Sequence, residues 1–140
     1  MPMLFEGKVS AAFAEQKFME LLGASITRLD NGVCHIILPY REELTQQKNY
    51  FHTGVVGTMA DTAAGFATYS LKGKDTSVLT VEYKLNLLSP AKGDALIAEA
   101  SIIKGGRTIT VAHVDVFVTN GGVKTLCAIA TVTLMAKQVS

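Results

Sequence analysis

The spacing of apolar positions along the chain changes several times, and each change marks an element. Between residues 8 and 22 they fall at Val9, Phe13, Phe18, Leu21 and Leu22, with Glu15, Lys17 and Glu20 between them. That spacing predicts an amphipathic helix ended by Gly23. Two short strands follow near 24–30 and 33–39, joined by Asp30-Asn31-Gly32. Asn-Gly is a strong hairpin signal because both residues tolerate positive φ. Pro39 ends the second strand, and the polar, aperiodic residues 41–53 read as a loop. An Ala-rich, Pro-free run from Gly54 to Leu71 predicts a second helix. Four strand-like runs come next, near 76–88, 94–104, 107–119 and 122–136. Their separators are Ser89-Pro90-Ala91-Lys92-Gly93, Gly105-Gly106 and Asn120-Gly121. Such short connections predict a four-strand antiparallel meander. Long antiparallel strands with one very apolar helix predict a curved sheet wrapped around that helix, an α+β architecture.

The helix over 54–71 has two unlike sides. One holds Val55, Val56, Met59, Ala60, Ala63, Phe66, Ala67 and Leu71, a face wide enough for deep burial. The other holds Gly54, Thr58, Asp61, Thr62, Gly65 and Tyr69, with Thr68 at its margin. This stripe lacks Lys, Glu and Arg, so it is not an ordinary solvated face. Its small residues let a backbone or a ligand come close. Asp61 carries the one formal charge between His52 and Lys72. Its neighbours Gly57, Thr58, Ala64 and Gly65 cannot neutralise it. A carboxylate so placed is costly to bury unless something external hydrogen-bonds it. Two readings stand: a working carboxylate that faces a ligand, or a surface Asp that is solvated or paired with a distant Lys.

His52-Thr53-Gly54 opens this helix. Helix N-termini expose unsatisfied N–H groups and a positive dipole end. A Gly there lets a carbonyl oxygen approach within hydrogen-bond distance, the geometry of an oxyanion hole. Gly54 and Asp61 share a helix face but stand about 10 Å apart along the axis, at roughly 1.5 Å per residue. One side chain cannot comfortably attack a carbonyl held at its own helix start. A two-fold dimer would set one subunit's Asp61 beside the other's Gly54.

Composition narrows the field. The 140 residues, 49% apolar, suit one domain over 1–140 with a real core, and no internal boundary is visible. Thirteen basic against twelve acidic residues give a net charge of +1, which supplies no sequence-independent reason to bind nucleic acid. Cys34 and Cys127 lie among apolar residues and read as reduced core positions. No CxxC pair is present, and three scattered histidines make no metal site. No apolar run approaches the roughly 18 residues of a membrane span, and no signal peptide is visible, so a soluble cytoplasmic protein is expected. His35 and His113 read as half-buried or interface histidines, the latter paired with Asp115 on the same strand face. No Ser lies in a G-x-S-x-G setting. Lys92, Lys104, Arg107 and Lys124 sit at or near turns, and each alone reads as a solvated charge.

Three motifs, in order, resemble a known family. The run Phe51-His52-Thr53-Gly54-Val55-Val56-Gly57-Thr58-Met59-Ala60-Asp61-Thr62-Ala63 resembles the His-Gly-Gly…Asp motif of hotdog-fold acyl-CoA thioesterases of the phenylacetate-pathway (PaaI-like) type. Thr80-Val81-Glu82-Tyr83-Lys84-Leu85-Asn86-Leu87-Leu88-Ser89-Pro90-Ala91-Lys92-Gly93 is similar to the family's next strand and turn. Gly105-Gly106-Arg107-Thr108 is similar to its later hairpin. The likeness spans roughly residues 20–136. It implies a hotdog fold, and a dimer, often paired into tetramers, with active sites across the subunit interface. Asp61 would act as nucleophile or general base on the thioester, and the Gly54 N–H would polarise its carbonyl. His52 would sit by the thioester and orient the site. Gln46 falls where relatives place an Asn or Gln that positions the water or carbonyl, and Thr80 where a Ser or Thr helps hold the water. Thr53 departs from the family by replacing the first glycine of the pair.

The resemblance also makes Lys104 and Arg107 candidates for the CoA phosphates, Arg by its fork geometry. CoA is then part of the substrate, with no metal or organic cofactor, and neither nucleic acid nor membrane is an expected partner. The acyl group, aromatic or medium-chain, would lie between two central helices near Val56, Met59 and the loop before His52. A hotdog hydratase or dehydratase is the enzymatic alternative, but its paired catalytic His motif is not found. A non-catalytic acyl-CoA sensor would normally carry an output module, such as a helix-turn-helix, for which 140 residues leave no room.

Overall fold

A computed structural model describes residues 9, 11–73 and 75–139. Lys8 and Ser10, at the start of the expected first helix, lie outside the described residues, as does the rest of the N-terminal segment over 1–8. In chain order the elements are α1 (Lys17–Leu22), β1 (Ser25–Asp30), β2 (Val33–Pro39), α2 (Thr53–Tyr69), β3 (Thr76–Leu87), β4 (Ala95–Gly105), β5 (Ile109–Asn120) and β6 (Val123–Gln138). The strands form one six-stranded sheet in the order β1-β2-β4-β5-β6-β3. Every neighbouring pair is antiparallel.

Alternation along the strands creates two unlike faces. Ala98, Ala100, Ala112, Val114, Val116, Ala128, Ala130 and Val132 all point to one face and are buried. These are small side chains, so α2 can lie close in the curl of the sheet. The helix answers with Val56, Met59, Ala60, Ala63, Phe66 and Ala67, which join Ile36, Leu38, Leu96 and Leu134 in one core. Fully burying a side chain the size of Met59 or Ile36 stabilises the fold by about 1.5–3 kcal/mol. The outer face carries polar pairs instead: Lys124 Nζ lies 2.6 Å from Glu99 Oε2, and His113 Nε2 lies 2.8 Å from Asp115 Oδ1.

Two expectations are corrected. The last four strands are not a meander, because β3 pairs with β6 at the sheet edge and β4 enters between β2 and β5. The connection over 88–94 crosses the ends of β6 and β5. Leu88 and Ser89 N–H donate to Cys127 O at 2.9 and 3.2 Å, and Asp94 N–H donates to Thr119 O at 2.7 Å. Gly93 is required there, since a Cβ would collide with the Thr119 carbonyl oxygen. Moving across three strand spacings takes about 14 Å. An extended segment of this length spans roughly 23 Å, so a short connection did not oblige β3 and β4 to be neighbours.

The first helix is also not continuous. Residues 11–14 are helical, but Gln16 is extended (φ −80°, ψ 97°) and α1 begins after it. The break lets the Phe13 ring pack on Phe66, with centroids 5.3 Å apart, while Met19 and Leu22 turn into the core. Phe18 and Leu21, expected on the buried face, are 51% and 66% exposed. Gly23 does end the helix, in the left-handed region at φ 88°. Ala24 N–H donates to Met19 O and Gly23 N–H to Glu20 O, at 3.0 and 3.2 Å, which closes a Schellman motif.

Candidate active site

The start of α2 is held by two side chains. His52 is its N-cap, and His52 Nδ1 accepts from Gly54 N–H at 2.8 Å. Accepting there requires Nδ1 to be unprotonated, so a neutral ring carries its proton on Nε2. Gln46 Oε1 accepts from Thr53 N–H at 3.2 Å. The amide of Gly54, expected to be free for a carbonyl, is therefore capped within its own chain, and the Thr53 amide is held by the longer bond. Neither contact is legible in the sequence, which marks only a helix start.

The loop before α2 is tied down rather than loose. His52 N–H donates to Leu44 O at 2.9 Å, Phe51 N–H to Ala91 O at 2.8 Å and Gln46 N–H to Tyr50 O at 2.9 Å. Leu44 and Phe51 are buried anchors. At the loop's tip Lys48 and Asn49 take positive φ, 62° and 63°. Asn tolerates this; for Lys the left-handed region costs roughly 1–2 kcal/mol.

Asp61 sits about two turns further along α2, on the face it shares with Gly54, and is partly buried. Its Oδ1 accepts from the Thr80 hydroxyl at 2.6 Å. That short bond to a charged acceptor fixes the carboxylate and leaves Oδ2 for other work. Thr80 can reach it because β3 runs beside α2. A bulge between Thr80 and Glu82 then shifts the register, so that Thr80 opposes Leu134 and Tyr83 opposes Val132. Both partners are buried, which places Thr80 and Tyr83 on the same, helix-facing side. Sequence reading did not single out Tyr83, since a bulge leaves no local signature.

Three hollows surround these residues. One of about 270 Å³ is lined by Asp61, Thr62, Gly65, Tyr69, Thr76 and Thr80, among others. A groove of about 470 Å³ at the start of α2 is lined by Gln46, Tyr50, Thr53, Val56, Leu87 and Leu88, with Pro90 and Cys127 beyond. The two share no lining residue. A third, of about 460 Å³, has Thr76 in common with the Asp61 hollow and is lined by Lys72, Arg107 and Thr108, among others. Lys72 Nζ donates to Gly106 O at 2.7 Å and so ties the β4–β5 turn to the end of α2. Lys104 is exposed on β4 and lines none of these hollows. Met59, expected beside Val56 at the acyl group, is fully buried on the sheet-facing side of α2 and does not reach the groove.

Other reactive groups are set aside by their surroundings. Burial pushes the Cys34 thiol up to about 12 and the Cys127 thiol up to about 11, so neither offers a thiolate nucleophile. The His113–Asp115 pair lies on the outer face of the sheet, away from α2. Among the described residues no group of His, Cys, Asp and Glu could hold a metal ion, and no helix is long and apolar enough to cross a membrane.

Comparison with known proteins identifies the family. Residues 48–125 match the family model of the Thioesterase superfamily. A crystal structure of a thioesterase family protein from Silicibacter pomeroyi superimposes with a TM-score of 0.94 at 40% identity, covering 96% of this chain and 98% of that one. The E. coli PaaI protein, from the phenylacetic acid degradation operon, shares the fold with a TM-score of 0.85 at 16% identity, over 97% of this chain and 96% of its own. A candidate esterase of Halobacterium salinarum is 35% identical over 103 residues, 70% of this chain and 68% of that protein. The chain thus belongs to the thioesterase superfamily: it has the hotdog fold, and it is a thioester hydrolase.

Proposed function

We propose that the protein hydrolyses acyl-CoA thioesters at sites shared by two copies of the chain. The observation that supports this is the separation of acid and amides. Asp61 lines one hollow and Thr53, the first residue of α2, lines another, with no lining residue in common. A thioester carbonyl held at the helix start needs a carboxylate, and a two-fold partner brings its own Asp61 to that point.

In such a site Asp61 acts as general base or nucleophile. As a base, its free oxygen takes a proton from water while the water oxygen bonds the carbonyl carbon. The oxyanion that develops is stabilised by backbone N–H groups at the start of the partner's α2. Collapse breaks the C–S bond, and the proton passes from Asp61 to the departing CoA sulfur, giving free acid and CoA. Thr80 keeps the carboxylate aimed and helps hold the water. Gly54 supplies its N–H once His52 turns aside. Thr53 is the nearer candidate, because its amide is held only by the longer bond to the exposed Gln46 side chain. Released from Thr53, Gln46 positions the water or the carbonyl.

The acyl group, aromatic or medium-chain, lies in the groove against Val56, Tyr50, Leu87 and Leu88, which carries no charged wall. The CoA phosphates lie toward Arg107, with Lys104 near the same turn. The reaction moves no electrons and asks for no metal or organic cofactor. The working form is a dimer or a dimer of dimers in the cytoplasm.

Subunit mixing tests the shared site. Asp61→Asn removes one half of the site and the donor variant that loses thiol release while folded, Thr53→Pro or Gly54→Pro, removes the other, but a hybrid dimer of the two retains one whole site. Equal mixing, with exchange, restores about a quarter of wild-type activity by the statistics of two-fold pairing. No restoration, with hybrid formation shown by mass, removes the shared site.

A further inference from the structure

We infer that the Tyr83 hydroxyls of two copies meet at the two-fold axis, between the paired sites, and set the spacing of both. This rests on the shared-site reading above. Gly57 is buried under Tyr83: a Cβ at that position would lie 2.9 Å from Tyr83 Oη and 3.5 Å from its Cε1. The phenol therefore lies across α2 against Gly57, and a Cβ there would push its hydroxyl aside. The bulge in β3 is what aims it there, since without the extra residue Thr80 and Tyr83 would face opposite sides of the strand.

Symmetry gives that crossing point its meaning. If Asp61 faces the partner's helix start near Gly54, and Gly54 faces the partner's Asp61, the position midway faces its own copy. That position falls between residues 57 and 58, beneath the Tyr83 ring. Each reacting centre then lies about 5 Å along the axis from this point, half of seven residues at roughly 1.5 Å each. Tyr83 is 46% exposed in the single chain, and its hydroxyl bonds no group among the described residues. A phenol is both donor and acceptor, so two of them satisfy each other across an axis. Around it Leu79, Val81 and Leu87 are each more than half exposed along the β3 edge, an apolar margin that a second copy covers. Tyr83 is thus a positioning residue: it touches no substrate but fixes how far one helix start stands from the other copy's Asp61.

Photo-oxidative coupling of neighbouring phenols reads this directly. The chain has four tyrosines, Tyr40, Tyr50, Tyr69 and Tyr83. Ruthenium-sensitised oxidation of the wild type is expected to give a denaturant-stable dimer with dityrosine fluorescence. Tyr83→Phe should abolish it while light scattering still shows a dimer; Tyr40→Phe and Tyr69→Phe should not. Gly57→Ala, which pushes the phenol off the helix, should abolish it too. In Tyr83→Phe, kcat should fall roughly tenfold with KM little changed, short of the ~10²-fold that a 1 Å misplacement costs. A dimer whose coupling survives Tyr83→Phe, or a dimeric wild type that does not couple, overturns the inference and leaves the shared site standing. A strictly monomeric wild type overturns the shared site itself.

Discussion

Two hollows open along α2. The one at its middle, about 270 Å³, presents Asp61, Thr62, Thr76, Ser77 and Thr80. The one at its start, about 470 Å³, is walled by Tyr50, Phe51, Val56, Leu87, Leu88 and Pro90. The first holds a carboxylate with the Thr80 hydroxyl on it. The second holds the first residue of α2, Thr53, and an apolar groove, with no carboxylate in its wall. A bare carboxylate placed against Leu87 and Leu88 would carry a large desolvation cost. Keeping the two apart lets each be satisfied within one chain; on the proposed reading, a second copy brings them together.

The largest effect comes from removing the charge in the first hollow. Asp61→Asn keeps an oxygen that can accept from Thr80, so the fold should hold by circular dichroism. Turnover should fall by about 10²–10⁴ or more, the scale of losing a positioned base. Near-wild-type thiol release would take Asp61 out of the mechanism and reduce that hollow to a polar dimple.

Deleting donors in the second hollow comes next, with an expected loss of about 10²–10³ for each working donor. Thr53 is the first residue of α2, where Pro is at home, and His52 at φ −60° and ψ 136° already has the extended backbone that precedes a Pro. Thr53→Pro should therefore remove one N–H with little cost to the helix. Gly54→Pro is harsher, because it sets a Pro after a helical residue. A large rate loss in Thr53→Pro alone makes Thr53 the donor. A comparable loss in a folded Gly54→Pro means that His52 turns aside during the reaction.

Arg107→Ala reaches the third hollow. KM for acyl-CoA should rise severalfold, consistent with one lost charge-assisted contact of about 1.5–3 kcal/mol discounted for exposure. KM for an acyl-pantetheine that lacks the nucleotide should hardly move. Equal effects on both substrates would place Arg107 away from the phosphates.

How much of this was legible depended on range. The stripe of Gly54, Thr58, Asp61, Thr62 and Gly65 is local, and a periodic pattern shows it without a structure. The Asn-Gly and Gly-Gly turns gave strand limits within a few residues for the same reason. Long-range pairing was hidden. Nothing in Ser89-Pro90-Ala91-Lys92-Gly93 says whether the chain turns back or crosses the sheet, so the edge position of β3 was misread. The bonds of Thr80 to Asp61 and of His52 to Gly54 depend on rotamers and register. Met59 was expected with Val56 at the acyl group, yet it is buried in the core and only Val56 of the two lines the groove.

Strain offers the smallest test, and it too separates the hollows. Among the described residues the non-glycine positions with positive φ are Lys48 and Asn49, both in the loop that carries Gln46 and Tyr50 to the groove. The Asp61 hollow has none. Left-handed backbone costs Lys roughly 1–2 kcal/mol, while a glycine gives back about 0.5–1 kcal/mol through the freer unfolded chain. Lys48→Gly should therefore stabilise the protein by up to about 1 kcal/mol, a Tm rise of roughly 1–4 °C. Lys48→Ala keeps the Cβ and with it the strain, so its Tm should stay near wild type. If both variants shift Tm alike, the lysine side chain is responsible rather than the backbone. If Lys48→Gly gains stability but loses kcat/KM on acyl-CoA while Lys48→Ala does not, the strained turn holds Gln46 and Tyr50 in place for the groove.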